Sequence, residues 1–238
     1  KKINNFRVPL SGPINGSLKA PSSKSLSNRA ILLASLAKGT SCIENLLDSD
    51  DTKTMLNVCH LLGASIKVNG NKTFIHGLNH KIPPKSELLY AADSGIVTRF
   101  LLPVLSHGSG SYILDASKQM SKRPISDMIS SLRSLGVKIT HGRESFPLHI
   151  HGRTLTKGHI DISGKLTSQF ISGLMLSAPL YKNGLEIFIS DRDKLVSKPY
   201  IEMTQKMMKD FNVNVLWDKE NIIKIPKEQK YQAQNIEI

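Results

Sequence analysis

The stretch Met55–Val68, MLNVCHLLGASIKV, joins a helix-like run to a short strand-like run. The glycine between them suits the left-handed residue that ends many helices, and the apolar residues after it alternate as on a half-buried strand. The pattern returns at Met128–Thr140, MISSLRSLGVKIT, and at Met203–Val215, MTQKMMKDFNVNV. The residues at the predicted helix ends lie 73 and 76 residues apart and are Gly63, Gly136 and Asn212. The chain therefore contains a threefold internal repeat.

Each copy of the repeat extends in both directions from this marker. A turn and a second strand follow it, which predicts a hairpin in every unit. The second strands are Thr73–His76, Leu148–Ile150 and Ile222–Ile225. An apolar helix precedes the marker, at Ser27–Ala37, Ile96–Leu105 and Ser168–Ala178. Strand candidates such as Ser111–Leu114 and Leu185–Ile189 follow these helices, so each unit has the pattern βαβαββ.

The size of the unit predicts how the copies assemble. A unit of about 70 residues is too small to bury its own helix faces. The three units are therefore expected to pack into one α/β domain with quasi-threefold symmetry. Residues 20–226 hold the repeat, whereas residues 1–19 and 227–238 are predicted to lie outside it.

The charge of the chain favours a partner that is anionic and small. Thirty-two Lys and Arg residues against 19 Asp and Glu residues give a net charge of +13 among 238 residues. The basic residues are spread along the chain rather than gathered in blocks, and only 5% of residues are aromatic, which leaves little surface for stacking bases. We therefore expect a site for small anionic substrates and no nucleic-acid partner.

Cysteine usage and hydropathy indicate the compartment. Cys42 and Cys59 form no CxxC motif and are too few for a disulfide framework, which favours a reducing environment. No apolar stretch approaches the ~20 residues of a membrane helix, and no charged-then-apolar segment opens the chain. The expectation is a cytoplasmic protein without a membrane span. The pair His149 and His151 lacks a cysteine or carboxylate at a recognisable ligand spacing, so no metal site is predicted.

Candidate binding residues recur where the first helices begin. Arg29, Arg99 and Gln169 are 70 residues apart, and small polar residues precede each of them. A helix start exposes unpaired N–H groups and partial positive charge, so flanking cations and hydroxyls make it a cradle for anions. Three such cradles related by symmetry would converge. The same residue types also cap ordinary helices, so symmetric caps without a ligand remain an alternative.

The second helices repeat this arrangement in two of the three units. Lys122-Arg123-Pro124 and Ser197-Lys198-Pro199-Tyr200 put cations and hydroxyls at the helix start, where proline fits the first position. The first unit has Asp50-Asp51-Thr52 instead, which is interpreted as ordinary N-capping.

These residues resemble a known family. The segment Ala20–Ala30, APSSKSLSNRA, is similar to the N-terminal signature of the 5-enolpyruvylshikimate-3-phosphate synthases, the 3-phosphoshikimate 1-carboxyvinyltransferases. Further similar motifs follow in the same order at Leu46–Thr52, Arg123–Ile125, Ser168–Phe170 and Val196–Ile201. The resemblance implies an inside-out α/β barrel of two lobes, each with three βαβαββ units. It covers the N-terminal lobe, so residues 1–19 would be a leading segment from the other lobe and residues 227–238 a crossover toward it.

The resemblance also implies an activity. The family transfers the enolpyruvyl group of phosphoenolpyruvate to the 5-hydroxyl of shikimate 3-phosphate, in the shikimate pathway toward chorismate and the aromatic amino acids. It proceeds through a tetrahedral intermediate and uses no metal or organic cofactor. Most of the acid/base residues are expected in the C-terminal lobe, the implied partner of this chain. The catalytic residues are therefore unknown here, and this half alone is expected to bind rather than to catalyse.

The matching motifs imply two sets of site residues. Those for shikimate 3-phosphate are Lys24, Ser25, Arg29, Thr167, Ser168, Gln169, Ser197 and Tyr200. Those for phosphoenolpyruvate are Lys24, Gly95, Arg99, Arg123 and Gln169. Lysine and arginine suit both ligands because phosphate and carboxylate pair strongly with charged donors.

One segment departs from the family pattern. Family members generally read Asn-Ala-Gly-Thr-Ala-x-Arg where this chain reads Asp93-Ser94-Gly95-Ile96-Val97-Thr98-Arg99. Asp93 would oppose an anionic ligand unless it is turned away or paired, and Ile96 removes a hydroxyl. A divergent enolpyruvyl transferase-like protein and a non-catalytic anion- or nucleic-acid-binding domain remain alternatives. UDP-N-acetylglucosamine enolpyruvyl transferase is disfavoured, because that family generally has Lys-Asn where this chain has Lys24-Ser25.

Overall fold

The computed structural model describes residues 7, 12–13, 15–142, 145–191, 195–217 and 221–238. Most of the predicted leading segment 1–19 lies outside the described residues, as do residue 143 and residues 218–220 of the predicted second and third hairpin turns. The described helices are α1 Lys24–Leu36, α2 Asp50–Leu61, α3 Gly95–Ser106, α4 Lys118–Ser121, α5 Ser126–Ser134, α6 Ser168–Ser177 and α7 Lys198–Asp210. The described strands are β1 Thr40–Glu44, β2 Ser65–Asn69, β3 Lys72–His76, β4 Leu88–Tyr90, β5 Ser111–Asp115, β6 Lys138–His141, β7 Leu148–His151, β8 His159–Ser163, β9 Leu185–Ser190, β10 Leu216–Trp217, β11 Ile222–Ile225 and β12 Asn235–Glu237.

The strands form three four-stranded sheets of the same topology. Their orders are β12-β1-β3-β2, β4-β5-β7-β6 and β8-β9-β11-β10. In each sheet the first pair of strands is parallel and the other pairs are antiparallel. A parallel pair needs a crossover, which the first helix of each unit provides, and the hairpin closes the sheet. The predicted threefold βαβαββ repeat is confirmed.

The first sheet takes its outer strand from the far end of the chain. Sequence analysis placed residues 227–238 outside the repeat, but β12 pairs in parallel with β1, with Cys42 opposite Asn235. In this position β12 satisfies backbone groups that would otherwise leave β1 as an open sheet edge. Periodicity within a short window cannot reveal a strand supplied from so far along the chain.

The helix ends follow the prediction in all three units. Gly63, Gly136 and Asn212 have φ angles of +110°, +91° and +66°, in the left-handed region. The strand predicted at Val213–Val215 is wrong, because β10 begins only at Leu216. Side chains take the backbone groups of this segment instead. Gln229 bonds to both the N–H and the C=O of Asn214, and Gln205 donates to the carbonyl of Val215.

The first helices of the three units are the most buried elements. Every residue of α3 is buried, and α1 and α6 are buried along most of their lengths. A helix that is apolar on all sides belongs in a protein interior. Gly173 allows α3 and α6 to approach closely, since a Cβ there would lie 2.3 Å from the carbonyl oxygen of Arg99. No helix among the described residues has the length and apolar character to cross a membrane.

Candidate anion-binding site

The helix starts meet at a pocket of about 330 Å³, here called pocket A. It is lined by Lys24, Ser25, Arg29, Ile96, Thr167, Ser168, Gln169, Ser197 and Tyr200. All eight residues assigned to shikimate 3-phosphate by resemblance therefore lie around one cavity. The predicted convergence of the helix starts is observed, because α1, α3 and α6 each contribute residues from their first two turns.

Local capping explains why these helices begin at the pocket. The side chains of Ser23, Ser94 and Thr167 accept hydrogen bonds from the first-turn amides of α1, α3 and α6. At α7 the N-cap residue Ser197 adopts a left-handed conformation, with φ of 57°, and its side chain caps nothing. Its hydroxyl is therefore left for the pocket it lines. The positive ends of four helix dipoles lie at this cavity.

Arg29 supplies a buried positive charge to pocket A. Its residue is 1% exposed, and its guanidinium lies 5.1 Å from the centre of the Phe100 ring. Burial lowers the pKa of Arg29 to about 10, because the charged form loses hydration. Among the described residues, no ion pair involves an arginine. The charge of Arg29 is thus not neutralised by a carboxylate of the described chain.

A second cavity of about 310 Å³, pocket B, adjoins pocket A. It is lined by Lys24, Ser25, Asp51, Asp93, Gly95, Ile96, Arg123 and Gln169, four of which also line pocket A. Four of the five residues assigned to phosphoenolpyruvate by resemblance are in this set. Glycine is required at position 95 for the two arginines to approach, since a Cβ would lie 2.9 Å from Nη1 of Arg99 and 3.3 Å from Nη1 of Arg123.

Arg99, the fifth predicted residue, lines neither pocket and lies behind Gln169. Its Nη1 donates to Oε1 of Gln169 at 2.7 Å, and its Nη2 donates to the carbonyl of Pro124 at 3.0 Å. The pKa of Arg99 is lowered, mainly by burial and then by the nearby charge of Arg123. The geometry therefore points to Arg99 orienting the Gln169 amide rather than contacting a ligand directly.

Equal spacing in the sequence does not give equal positions on the helices. Arg29, Arg99 and Gln169 are the sixth, fifth and second residues of their helices, because the helix starts are 71 and 73 residues apart rather than 70. The residue of α6 that matches the position of Arg99 is Ser172. The three predicted residues are not symmetry copies, and Arg99 and Gln169 instead bond to each other.

Sequence analysis missed Asp51. Its carboxylate lies 2.9 Å from Nζ of Lys24, and the Ser94 hydroxyl donates a hydrogen bond to it. The capping interpretation holds for the neighbours, since Ser49 and Thr52 form a capping box. Asp51 additionally joins α2 to the starts of α1 and α3. The similarity of Leu46–Thr52 to the family motif was the only available signal.

The two pockets differ in charge. Pocket A has the cations Lys24 and Arg29 and no carboxylate in its lining. Pocket B has Lys24 and Arg123, but also Asp51 and Asp93. Asp93 accepts a hydrogen bond from the Ser117 hydroxyl, which leaves its charge in place at the pocket. Pocket A is therefore the stronger site for an anion, and pocket B is close to neutral.

Metal chemistry has no evident ligand set in this part of the chain. Within the residues that the structure describes, no group of three or more His, Cys, Asp or Glu side chains is arranged to hold a metal ion. His151 lies on β7 beside Ser111, with Nδ1 2.9 Å from the serine hydroxyl. The pockets instead offer ammonium, guanidinium, hydroxyl and amide groups, which suit phosphate and carboxylate oxygens.

Comparison with known proteins gives a consistent result. The model of the family described as EPSP synthase (3-phosphoshikimate 1-carboxyvinyltransferase) matches residues 8–238. A 3-phosphoshikimate 1-carboxyvinyltransferase from Marinomonas sp. (strain MWYL1) is 40% identical over 229 residues, which are 93% of this chain and 53% of that protein. One from Shewanella woodyi (strain ATCC 51908 / MS32) is 38% identical over 219 residues, 90% of this chain and 51% of that protein.

Solved structures agree on the fold. The structure of EPSP synthase from Acinetobacter baumannii superposes with a TM-score of 0.81 at 24% sequence identity, and covers 94% of this chain and 49% of that one. The chain thus spans about half the length of the curated relatives and solved structures that it matches.

Proposed function

Because the chain belongs to the EPSP synthase family, we propose that it binds shikimate 3-phosphate in pocket A and serves as the substrate-binding half of a 3-phosphoshikimate 1-carboxyvinyltransferase. In this proposal residues 20–226 form the binding lobe, and residues 1–19 and 227–238 connect it to a second lobe. The protein would act in aromatic amino acid biosynthesis.

One observation carries the proposal: pocket A combines two cations with several hydroxyls and no carboxylate. Lys24 and Arg29 supply the charge, and Ser25, Ser168 and Ser197 supply hydroxyls at helix starts. A phosphate monoester and a carboxylate both need such donors. Tyr200 is 44% exposed at the edge of the pocket, where its hydroxyl suits the hydroxyls of the shikimate ring.

Pocket B is the proposed position of phosphoenolpyruvate. Lys24 lies between the two pockets, Arg123 and the start of α3 at Gly95 face pocket B, and Gln169 is held by Arg99. Since pocket B is close to neutral, we propose that the second lobe supplies further cations. The enolpyruvyl transfer then forms a C–O bond from the 5-hydroxyl to C2 of phosphoenolpyruvate, a proton adds at C3, and the tetrahedral intermediate loses phosphate and that proton. In this half, the residues bring two anions together and orient them.

Calorimetric titration with shikimate 3-phosphate tests the proposal. The chain is expected to bind shikimate 3-phosphate more tightly than shikimate or UDP-N-acetylglucosamine. Lys24→Ala should weaken binding about 10-fold, since a charge-assisted hydrogen bond contributes about 1.5–3 kcal/mol. Lys72→Ala is the matched control, because Lys72 pairs with Glu44 and lines neither pocket. Equal affinity for unrelated polyanions with a steep salt dependence would instead indicate a non-specific anion-binding domain.

Replacing Asp93 by asparagine is expected to raise the affinity for phosphoenolpyruvate about fivefold. The change removes one negative charge from pocket B and keeps a partner for Ser117, and about 1 kcal/mol is the Coulomb energy of two charges ~4 Å apart in water. Titration of the shikimate 3-phosphate-saturated chain measures the effect. Asp161→Asn, on strand β8 away from both pockets, should leave the affinity unchanged. An affinity that falls in Asp93→Asn contradicts the charge argument.

A further inference from the structure

The guanidinium of Arg29 is held by oxygen atoms of neutral groups. Nε donates to Oγ1 of Thr204 at 2.7 Å, and Nη2 donates to Oγ of Ser172 and to the carbonyl of Tyr200, both at 3.2 Å. Nη1 donates to the carbonyl of Ser25 at 2.9 Å. Four of the five N–H groups of Arg29 are therefore bound, and one N–H of Nη1 remains for the pocket that Arg29 lines.

Thr204 and Ser172 form a connected pair on two different helices. Thr204 lies on α7 and Ser172 on α6, both are 0% exposed, and their hydroxyl oxygens are 2.9 Å apart. Oγ1 of Thr204 also bonds to the carbonyl of Tyr200, one turn earlier in α7, at 2.8 Å. Because every contact is satisfied within the interior, the pair has little freedom to move.

A buried arginine usually has a carboxylate partner, which would cancel its charge. Arg29 has none among the described residues, although its charge costs free energy to bury. Hydroxyl and carbonyl oxygens orient the guanidinium while leaving its full positive charge. The Phe100 ring beneath it adds a weak attraction.

We infer that Thr204 and Ser172 are positioning residues, which fix the Arg29 guanidinium for the anionic ligand of pocket A without neutralising it. The inference rests on the proposed function for the identity of that ligand, shikimate 3-phosphate. Neither residue lines the pocket, so each acts only through Arg29.

Variants of Thr204 separate positioning from mere packing. Thr204→Val keeps the shape and removes the acceptor, and it should weaken shikimate 3-phosphate binding about 10-fold, whereas Thr204→Ser should stay within about threefold of the original chain. Thr98→Val is the matched control. Thr98 is also 0% exposed and also bonds to the carbonyl four residues earlier in its helix, but it does not contact Arg29. It should leave the affinity unchanged.

The Nε–H resonance of Arg29 in ¹H–¹⁵N spectra gives a readout that does not depend on the ligand. Arg29→Lys identifies the resonance by its disappearance. We expect slow solvent exchange in the original chain and in Thr204→Ser, and fast exchange in Thr204→Val. If Thr204→Val does not fold, Ser172→Ala provides the same comparison with a smaller expected loss, about threefold, because Nη2 keeps the Tyr200 carbonyl.

The outcomes distinguish the two ideas. Equal affinity in Thr204→Val and the original chain overturns the inference, and so does an equal loss in Thr98→Val. If the original chain does not bind shikimate 3-phosphate at all, the proposed function fails. The exchange rate of the Arg29 resonance then decides the inference by itself, since slow exchange in Thr204→Val overturns it.

Discussion

Replacing Arg29 by methionine is expected to weaken shikimate 3-phosphate binding about 100-fold. Methionine retains an unbranched apolar stem but removes the charge, and losing a buried charged donor to an anion costs about 2–5 kcal/mol of binding free energy. Arg29 is the buried cation of pocket A and has no carboxylate partner among the described residues, so no other charge within the described lining replaces it. Titration calorimetry on the chain and the variant measures the change.

Arg133→Met is the matched control for this substitution. Arg133 lies on α5 and donates only to the carbonyl of Ile139, and it lines neither pocket. Its replacement should leave the affinity within twofold. Near-ultraviolet circular dichroism should show native packing in both variants. Retention of more than a tenth of the original affinity in Arg29→Met would contradict the assignment of Arg29 to the ligand.

Replacing Gly173 by alanine is expected to lower the free energy of unfolding by about 3 kcal/mol or more. The new Cβ would lie 2.3 Å from the carbonyl oxygen of Arg99, so the backbones of α3 and α6 must separate. The greater helix propensity of alanine returns at most about 1 kcal/mol. Separation of the helices would also disturb the bond between Arg99 and Gln169. Urea unfolding followed by circular dichroism measures the loss.

Gly16→Ala is the control for the general effect of adding a methyl group. A Cβ at Gly16 meets nothing within 4 Å, so the free energy of unfolding should change by less than about 0.5 kcal/mol. A Gly173→Ala variant as stable as the original chain would mean that the contact between α3 and α6 is not tight.

Much of the fold follows from local patterns in the sequence. The alternation of apolar residues and the residues at the helix ends predicted three βαβαββ units, and Gly63, Gly136 and Asn212 have the left-handed conformation that this requires. These features are readable because they depend on neighbouring residues. The failures have non-local causes. Strand β12 pairs with a strand near the other end of the chain, and Gln229 and Gln205 occupy the backbone groups of the strand predicted at 213–215.

The candidate site was predictable as a list of residues but not as a geometry. Resemblance to the family assigned eight residues to one ligand, and these eight line pocket A. It did not predict that Arg99 lies behind Gln169, or that Asp51 holds Lys24. Both depend on how far each helix advances along its axis before it meets its neighbours. A spacing of 70 residues between side chains says little about that distance.

The sequence by itself determined the repeat, the helix and strand types and the excess of positive charge, because each is a property of composition or of short-range periodicity. Only the tertiary structure decided which cations remain without a partner. Lys24 is paired with Asp51 at the edge of the pockets, whereas Arg29 is enclosed by Thr204, Ser172 and two carbonyl groups. Electrostatic strength depends on burial and on distance to opposite charge, and folding sets both by joining residues up to 175 positions apart.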